Sequence, residues 1–371
     1  MIFTFGTPLS YGILTAPFSD AFAVSPLVLS VVFGVMLFTF FFGSAFVGVF
    51  GVRFSAQRVL LACAIATAAV APSLYLTNSI VGLGIVFAVY GLALGTFFVL
   101  VASVVPRWFD VRRGAATGLI FVGNGLGLFL LPPIWQYVLG EYGVRQGFLA
   151  VVGVNAAVFL LAALVCRRPR WVEQTTATTS DLIDWLSRLG RTRQFQLLFV
   201  GIALAFGWYQ LFAAYAVEMF AGRGLSAASA STAFGLVGGV SIISRVGSGY
   251  LSDSVGVRRT FLVSLACTSV GLALLLVPIR PVLFLAIVVL GLGLGATATL
   301  YIPLLMGIYA SDMDSAVIGV FNVGVGIASL VMPPLGTAAV TYFGGYTVPV
   351  VLTISMSLLG LVTAALATRE S

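Results

Sequence analysis

Charge is what this sequence lacks most. Of its 371 residues only 8% are charged, whereas 60% are hydrophobic. A soluble domain carries roughly 25% charged residues, because its surface must face water. The chain cannot cover a water-facing surface with so few charges. The composition therefore indicates an integral membrane protein.

Two chemically distinctive side chains are missing altogether. The chain has no histidine, and all 18 basic residues are arginine, so it has no lysine either. The lack of histidine excludes Ser-His and Cys-His nucleophilic pairs and His-ligated zinc or haem. The lack of lysine excludes a P-loop and Schiff-base chemistry. We therefore predict a protein that is no enzyme, binds no metal or cofactor and is not driven by ATP.

Cysteine is scarce as well. Cys63, Cys166 and Cys267 are odd in number, far apart and surrounded by apolar residues. This pattern predicts small buried side chains and gives no indication of a disulfide framework or a metal site.

Long apolar runs are abundant. A transmembrane helix needs about 20 mostly apolar residues, and the sequence holds twelve such runs: 2–22, 27–50, 59–78, 81–105, 114–138, 147–166, 196–219, 228–251, 260–279, 282–306, 316–341 and 347–367. The runs are too long for barrel strands and do not alternate in polarity. The predicted fold class is an all-α membrane protein with twelve transmembrane helices.

The arginines indicate the orientation of these helices. Three lie in loops on one face of the predicted bundle, and fourteen lie on the other, namely Arg53, Arg58, Arg107, Arg112, Arg113, Arg167, Arg168, Arg170, Arg188, Arg191, Arg193, Arg258, Arg259 and Arg369. By the positive-inside rule the richer face is cytoplasmic, and so are both termini. We expect a multi-pass protein of the cell membrane with the lipid bilayer as a partner. Topology explains the net charge of +7, so no nucleic-acid partner is expected.

A hydrophilic stretch at 167–194 divides the twelve runs into six and six. It predicts an N-terminal half (1–166), a cytoplasmic central loop (167–194) and a C-terminal half (195–371). Within the loop, Ser180-Asp181 could begin a basic amphipathic helix on the membrane surface. A plain connector and a regulatory element are both compatible with this pattern.

The two halves repeat at an offset of 201 residues. Residues that shape the backbone coincide at this offset, including Phe5-Gly6 with Phe206-Gly207, Gly143 with Gly344, and Pro132-Pro133 with Pro333-Pro334. A parallel repeat of this kind places a substrate site near the bilayer midplane, between halves that rock in alternating access. The counterpart of Gln196, where the seventh run begins, would precede Met1, so we expect a shortened first helix.

A motif at the eighth-to-ninth junction carries a family resemblance. The chain reads Gly249-Tyr-Leu-Ser-Asp253-Ser-Val-Gly256-Val-Arg258-Arg259, which resembles the cytoplasmic gating motif of the major facilitator superfamily. The resemblance implies that these residues hold one conformation without touching substrate. We expect the Asp253 carboxylate to cap a neighbouring helix N-terminus. In the first half the motif is degraded, since Val52 stands in place of the acid.

A second motif runs from Trp108 to Gly127, with Arg112-Arg113, Gly118 and Gly123 between them. It resembles the fifth-span motif of the monocarboxylate porter family and its oxalate/formate antiporter relatives. Physically, its glycines permit close helix packing. Two features depart from that family, because the chain has no lysine in its first span and carries Ser241 four residues before Arg245, where an acid is common. Symport with protons, antiport and uniport therefore all remain open.

Arg245 stands inside the eighth apolar run. An arginine in mid-membrane costs about 2.5–3.5 kcal/mol on insertion scales, and its counterpart 201 residues earlier is Ser44, so the repeat itself demands no charge there. The resemblance implies that Arg245 binds the substrate, and its planar fork suits a carboxylate. The alternative is a side chain that snorkels to the cytoplasmic interface.

Other polar residues in apolar runs are further candidates. For substrate binding these are Tyr11, Asn124, Tyr209, Gln210 and Asn322, with hydrogen bonding between helices as the alternative. For proton coupling they are Glu218 and Asp20, with hydration at the interface as the alternative.

The leading hypothesis is a monomeric secondary transporter of a small, monocarboxylate-like organic anion, with protons as a candidate coupling ion. Two alternatives share the fold: an exporter of hydrophobic drugs or metabolites, and a membrane sensor that does not transport.

Overall fold

The computed structural model describes residues 1–50, 55–108, 113–166, 187–309 and 314–369. In these ranges the chain forms α-helices and two short 3₁₀ helices, Ser73–Tyr75 and Val105–Trp108. In chain order the α-helices are α1 (Ile2–Leu9), α2 (Tyr11–Phe22), α3 (Pro26–Phe50), α4 (Ala56–Val70), α5 (Ile80–Val104), α6 (Arg113–Val165), α7 (Arg193–Ala213), α8 (Ala216–Gly222), α9 (Ala227–Val255), α10 (Val257–Leu274), α11 (Arg280–Ile308), α12 (Asp314–Phe343) and α13 (Thr347–Ala367).

These helices make twelve membrane crossings. Within the described ranges, ten helical segments are long and apolar enough to span a membrane. One of them, in α6, counts twice, because the chain turns at Gly143 (φ 73°) and Gly147 then lies against Val138. The remaining crossing is α1 with α2, a helix broken at Ser10. The total agrees with the number of apolar runs, although the break at Ser10 is not visible as an interruption of the first run.

The backbone repeats the same turns in both halves. Gly143 and Gly344 have φ values of 73° and 63°, and they are 201 residues apart. Ala23 and Gly224 are also 201 residues apart, with φ values of 50° and 84°. Residues in this left-handed conformation end a helix and redirect the chain. The repeat of 201 residues seen in the sequence therefore corresponds to equivalent turns in two similar bundles.

Each half packs as its own bundle. In the first, α3 lies on α5 and α1 on α6; in the second, α9 and α10 lie on α11, and α7 on α13. The bundles meet where α3 packs on α12 and α6 packs on α9. These two contacts are equivalent in the repeat. Helix α9 is the counterpart of α3, and α12 is the counterpart of the first part of α6. The exact domain limits and the amphipathic helix stay predictions, because residues 167–186 lie outside the described ranges.

The contact between the bundles lies toward one face of the molecule. Twelve crossings put the start of α1 and the end of α13 on the same face, here called the terminal face; the opposite one is the loop face. In α3, a Cβ added to Gly34 would lie 2.7 Å from the carbonyl oxygen of Leu330 in α12, so glycine permits this approach. Gly34 lies in the loop-face part of α3, and Leu330 lies just past the middle of α12 on its loop-face side. The bundles are thus in close contact near the loop face.

The outer surface of the bundle is apolar, as a lipid-facing surface must be. Ile243, Leu119 and Val165 are 70%, 74% and 82% exposed, and each lies on a spanning helix. Aliphatic side chains exposed to this degree along spanning helices suit a hydrocarbon environment better than water. The protein is therefore a membrane protein in structure as well as in composition.

Candidate functional site

A cavity of about 460 Å³ lies between the two bundles, on the terminal-face side of their contact. Each half contributes six lining residues. They are Phe5, Phe41, Ser44, Phe98, Phe121 and Asn124 from the first half, and Phe206, Arg245, Ala298, Tyr301, Asn322 and Val325 from the second. Three of the predicted substrate-binding residues, Arg245, Asn124 and Asn322, are therefore brought together at one place.

The cavity follows the internal symmetry of the fold. Most of its lining residues occur as pairs 200 or 201 positions apart, namely Phe5 with Phe206, Ser44 with Arg245, Phe98 with Ala298, Phe121 with Asn322, and Asn124 with Val325. Equivalent positions from both halves can converge only on the axis that relates them. The cavity thus occupies the place where a parallel-repeat transporter carries its substrate.

Arg245 is the dominant charge of this cavity. Its side chain is only 4% exposed, and its Nε and both Nη atoms have no hydrogen-bond partner among the described residues. Helix α9 continues for ten residues beyond it, to Val255, which is about 15 Å at 1.5 Å per residue. The guanidinium is buried in the cavity and not extended to the helix end, so the geometry favours a binding role over snorkelling. A buried, unpaired cation strongly favours an anionic partner.

Two amides accompany the guanidinium. Asn124 in α6 and Asn322 in α12 are 1% and 5% exposed, and both line the cavity. The Oδ1 atom of Asn124 has no hydrogen-bond partner among the described residues. A bound molecule would thus meet the five N–H donors of an arginine together with an amide acceptor.

Most of the remaining lining is aromatic, which the sequence reasoning missed. On the first half, the ring centroids of Phe5 and Phe98 are 5.8 Å apart, and those of Phe98 and Phe121 are 6.3 Å apart. On the second half, Phe206 and Tyr301 lie edge to face at 5.1 Å. A polar residue stands out in an apolar run, whereas a phenylalanine does not. The one available signal was the coincidence of Phe5 with Phe206 in the repeat.

Tyr11, Tyr209 and Gln210 lie elsewhere, in the contact between the bundles nearer the loop face. The Tyr11 hydroxyl donates a hydrogen bond to the backbone carbonyl of Gln210. All three side chains are at most 2% exposed, and the Tyr209 hydroxyl and Gln210 Oε1 have no partner among the described residues. They are not among the residues that line the cavity. Tyr209 and Gln210 lie beyond the middle of α7, close to its end at Ala213, and Tyr11 begins α2 directly after the break at Ser10. For Tyr11, the geometry matches the alternative of hydrogen bonding between helices.

The two candidate coupling acids lie outside the cavity. Asp20 in α2 and Glu218 in α8 are both exposed, and the cavity lining includes no acid among the described residues. Neither acid stands where it could contact a molecule bound at Arg245, so their coupling role stays a hypothesis without geometric support.

The motif of the second half lies where α9 passes into α10 and comprises Gly249, Asp253, Gly256, Arg258 and Arg259. Gly256 ends α9 with φ 97°, a conformation that favours glycine. Asp253 is exposed, and the N-terminus of α10 has no side-chain cap, so Asp253 does not cap the helix that follows it. Arg258 Nε donates to Thr368 Oγ1 at 3.0 Å, which ties α10 to the end of α13. The degraded motif of the first half, with Val52 and Arg53, falls outside the described residues.

Comparison with protein families shows which family the chain belongs to. The profile described as Major Facilitator Superfamily matches residues 1–257 and, in a second match, 197–371. The chain belongs to the major facilitator superfamily. This membership and the all-helical structure confirm the predicted fold class of twelve helices in two six-helix repeats.

Several curated proteins resemble this chain at low sequence identity. Monocarboxylate transporter 9 of Mus musculus is 31% identical over 172 residues, which is 44% of this chain and 32% of that protein. The oxalate:formate antiporter of Oxalobacter formigenes is 28% identical over 289 residues, or 74% of this chain and 65% of that protein. An uncharacterized MFS-type transporter of Bacillus subtilis, YcxA, is 24% identical over 68% of this chain and 62% of its own length. The chain thus matches less than two thirds of each of these relatives.

Solved structures show the same superfamily fold. A variant of the nucleoside transporter NupG matches with a TM-score of 0.74 at 13% identity, covering 99% of this chain and 98% of that one. A bacterial homologue of the human lysosomal transporter Spinster, in an inward-facing and unoccupied conformation, matches with a TM-score of 0.72 at 14% identity, covering 99% and 94%. At such identities the likeness extends to the fold alone.

Proposed function

We propose that this superfamily member is a secondary transporter of small organic anions, with monocarboxylates first among them. The observation that carries the proposal is Arg245, a guanidinium buried between the two halves with no partner among the described residues. Such a charge is costly unless something pairs with it. A carboxylate meets this need best, because it accepts two parallel hydrogen bonds from the planar fork.

Two relatives support this substrate class by their names. Monocarboxylate transporter 9 and the oxalate:formate antiporter both point to carboxylates, and the motif from Trp108 to Gly127 resembles that of the same families. We further propose that the terminal face is cytoplasmic, since fourteen arginines lie there in the predicted topology. The cavity would then open toward the cytoplasm, because the bundles are in contact on the opposite side.

The alternative of an exporter for hydrophobic compounds draws its support from the aromatic lining. A neutral or cationic compound, however, would leave Arg245 buried and unpaired or face a like charge. The alternative of a sensor that does not transport has no comparable observation in its favour among the described residues. The anion is therefore the better-supported cargo.

Uptake into proteoliposomes tests the proposal. Radiolabelled lactate, pyruvate, acetate and oxalate are offered with and without a pH gradient, which also shows whether protons are coupled. We expect Arg245→Gln to weaken anion binding by about thirty-fold or more, since removing one side of a buried charge pair costs about 2 kcal/mol or more. Arg245→Lys keeps the charge but loses the fork, so it should also lose most uptake.

Arg280→Gln is the matched control, because Arg280 is exposed and outside the cavity lining; its uptake should equal that of the unaltered protein. Normal membrane insertion of Arg245→Gln with unchanged carboxylate affinity would overturn the proposal. Export of a cationic dye together with no uptake of any anion would favour the exporter instead.

A further inference from the structure

The charges of the cavity limit the substrate to one carboxylate. Among the described lining residues Arg245 is the single cation, and its counterpart in the other half is the neutral Ser44. A second carboxylate on the substrate would enter a buried site with no cation to pair with it, and an unpaired buried charge is costly. A dicarboxylate is therefore a poor fit on grounds of charge alone.

The volume of the cavity exceeds what the smallest monocarboxylates fill. The space between the lining side chains, counted together with its opening toward the terminal face, is about 460 Å³. Acetate has four non-hydrogen atoms, so most of the cavity would stay wet around it. Water against phenylalanine rings is unfavourable, and a ligand that displaces it gains the hydrophobic contribution.

The rings are placed to contact a flat apolar group. Six of the twelve lining side chains are aromatic, with Phe5, Phe41, Phe98 and Phe121 on one half and Phe206 and Tyr301 on the other. Neighbouring rings already pack at centroid distances of 5.1–6.3 Å, within the range preferred by aromatic pairs. A substrate ring that enters between the two halves would extend this packing while its carboxylate pairs with Arg245.

Resting on the proposed function, we propose that the substrate class is a monocarboxylate with an aromatic body. The class is recognised by one carboxylate at Arg245 and by one ring between the aromatic side chains of the two halves. Small aliphatic monocarboxylates have the single carboxylate but no ring, and neutral aromatic alcohols have the ring but no carboxylate. Dicarboxylates carry a second charge that the cavity does not pair.

Four probes separate these conditions: 3-phenylpropionate, acetate, oxalate and benzyl alcohol. Each is titrated into the purified full chain, and binding is measured by calorimetry. We expect 3-phenylpropionate to bind at least tenfold more tightly than acetate, and oxalate and benzyl alcohol to bind more weakly than 3-phenylpropionate. Arg245→Gln should weaken the binding of 3-phenylpropionate about thirty-fold or more.

Neighbouring phenylalanines provide a matched pair of variants. Phe41 lines the cavity, whereas Phe42 is 46% exposed on the outside of α3. Phe41→Ala should weaken 3-phenylpropionate binding about tenfold with little change for acetate, and Phe42→Ala should change neither. If Phe41→Ala does not fold, Ala298→Phe gives the same information, because a ring added there occupies the space of the substrate ring.

The outcomes distinguish the two proposals. If acetate binds as tightly as 3-phenylpropionate and both depend on Arg245, the aromatic substrate class is wrong and the anion transporter stands. If benzyl alcohol binds as tightly as 3-phenylpropionate and Arg245→Gln changes neither, the anion site itself is wrong. If no probe binds, both proposals fail.

Discussion

At the scale of single residues, the site depends on one difference between two equivalent positions. Ser44 and Arg245 occupy the same place in the two halves, and both line the cavity. Ser44 donates its hydroxyl proton to the backbone carbonyl of Gly95 at 3.0 Å, a contact between helices within the first half. Arg245 makes no such contact among the described residues. One position thus serves packing and its counterpart supplies an unpaired charge, which gives a symmetric fold a chemically one-sided cavity.

Asn124 carries a prediction about substrate hydroxyl groups. Its Oδ1 atom is buried in the cavity without a partner among the described residues, so it can accept a hydrogen bond from a hydroxyl next to the substrate carboxylate. Asn124→Leu should therefore weaken the binding of lactate relative to that of propionate by about fivefold or more, since a lost hydrogen bond of this kind is worth about 1 kcal/mol or more. Competition of the two acids against radiolabelled uptake measures the ratio.

The control for this prediction is Asn155→Leu. Asn155 is also fully buried, but it donates to the Tyr90 hydroxyl at 2.9 Å within the first bundle and does not line the cavity. That variant should lose stability while the ratio of lactate to propionate stays unchanged. A ratio that is the same in Asn124→Leu as in the unaltered protein would show that Asn124 does not contact the substrate hydroxyl.

At the scale of helices, both symmetry-related spans that begin the halves are broken. Ser10 separates α1 from α2, and two residues, Ala214 and Tyr215, separate α7 from α8. The segments near these breaks meet across the halves, where Tyr11 donates to the Gln210 carbonyl and Gly12 lies against the Ala213 carbonyl. The breaks thus place main-chain groups, and not only side chains, in the contact that closes the loop face.

Gly12 provides the test of that contact. A Cβ at this position would overlap the carbonyl oxygen of Ala213, and main chain cannot move aside as a flexible side chain can. Gly12→Leu should therefore shift the protein toward a state that is open at the loop face. A cysteine introduced as Tyr209→Cys, in a background without the three native cysteines, should then react faster with an impermeant maleimide added on the loop-face side.

Gly84→Leu is the corresponding control, because a Cβ on Gly84 has no neighbouring heavy atom within 4 Å. The same bulk added there should leave the labelling rate of Tyr209→Cys unchanged. If Gly12→Leu and Gly84→Leu label at equal rates, the contact at Gly12 does not control access from the loop face.

The limits of sequence reasoning have a physical origin at this scale. Twelve apolar runs predicted twelve crossings, because burial in lipid demands length and hydrophobicity from every span. Hydrophobicity does not reveal the break at Ser10, where the run stays mostly apolar; the signals for it are the helix-disfavouring Pro8 and Gly12 on either side. In the site, Arg245, Asn124 and Asn322 were predictable as polar residues that a membrane tolerates only for a reason.

The aromatic lining was not predictable in the same way. Phe41 in the cavity and Phe42 on the lipid side are adjacent and chemically identical, and only the rotation of α3 separates them. The same uncertainty explains Tyr11, Tyr209 and Gln210, which are polar residues in apolar runs but lie in the contact between the halves. Composition shows that a side chain is unusual for a span, whereas the packing of the helix decides what that side chain faces.

At the scale of the whole molecule, the proposed function implies that the charge of the cavity differs between the empty and the anion-bound protein. The cavity lining holds one cation and no acid among its described residues. With a monocarboxylate bound, the pair is neutral overall; without it, the guanidinium is alone. In the proposed alternating-access cycle, the cavity closes to one face before it opens to the other. That closure removes Arg245 from water, which is far more costly for the lone cation than for the neutral pair.

The carrier should therefore return faster when loaded than when empty, so it should exchange anions faster than it moves them in net flux. In proteoliposomes loaded with radiolabelled substrate, adding the same anion outside is expected to accelerate efflux about tenfold or more, because a difference of about 1.4 kcal/mol between the two barriers already suffices. The membrane potential is clamped with potassium and valinomycin, so that a charge imbalance does not limit the net flux. Equal efflux with and without external anion would mean that the empty carrier closes as easily as the loaded one, and that the charge of Arg245 does not govern the cycle.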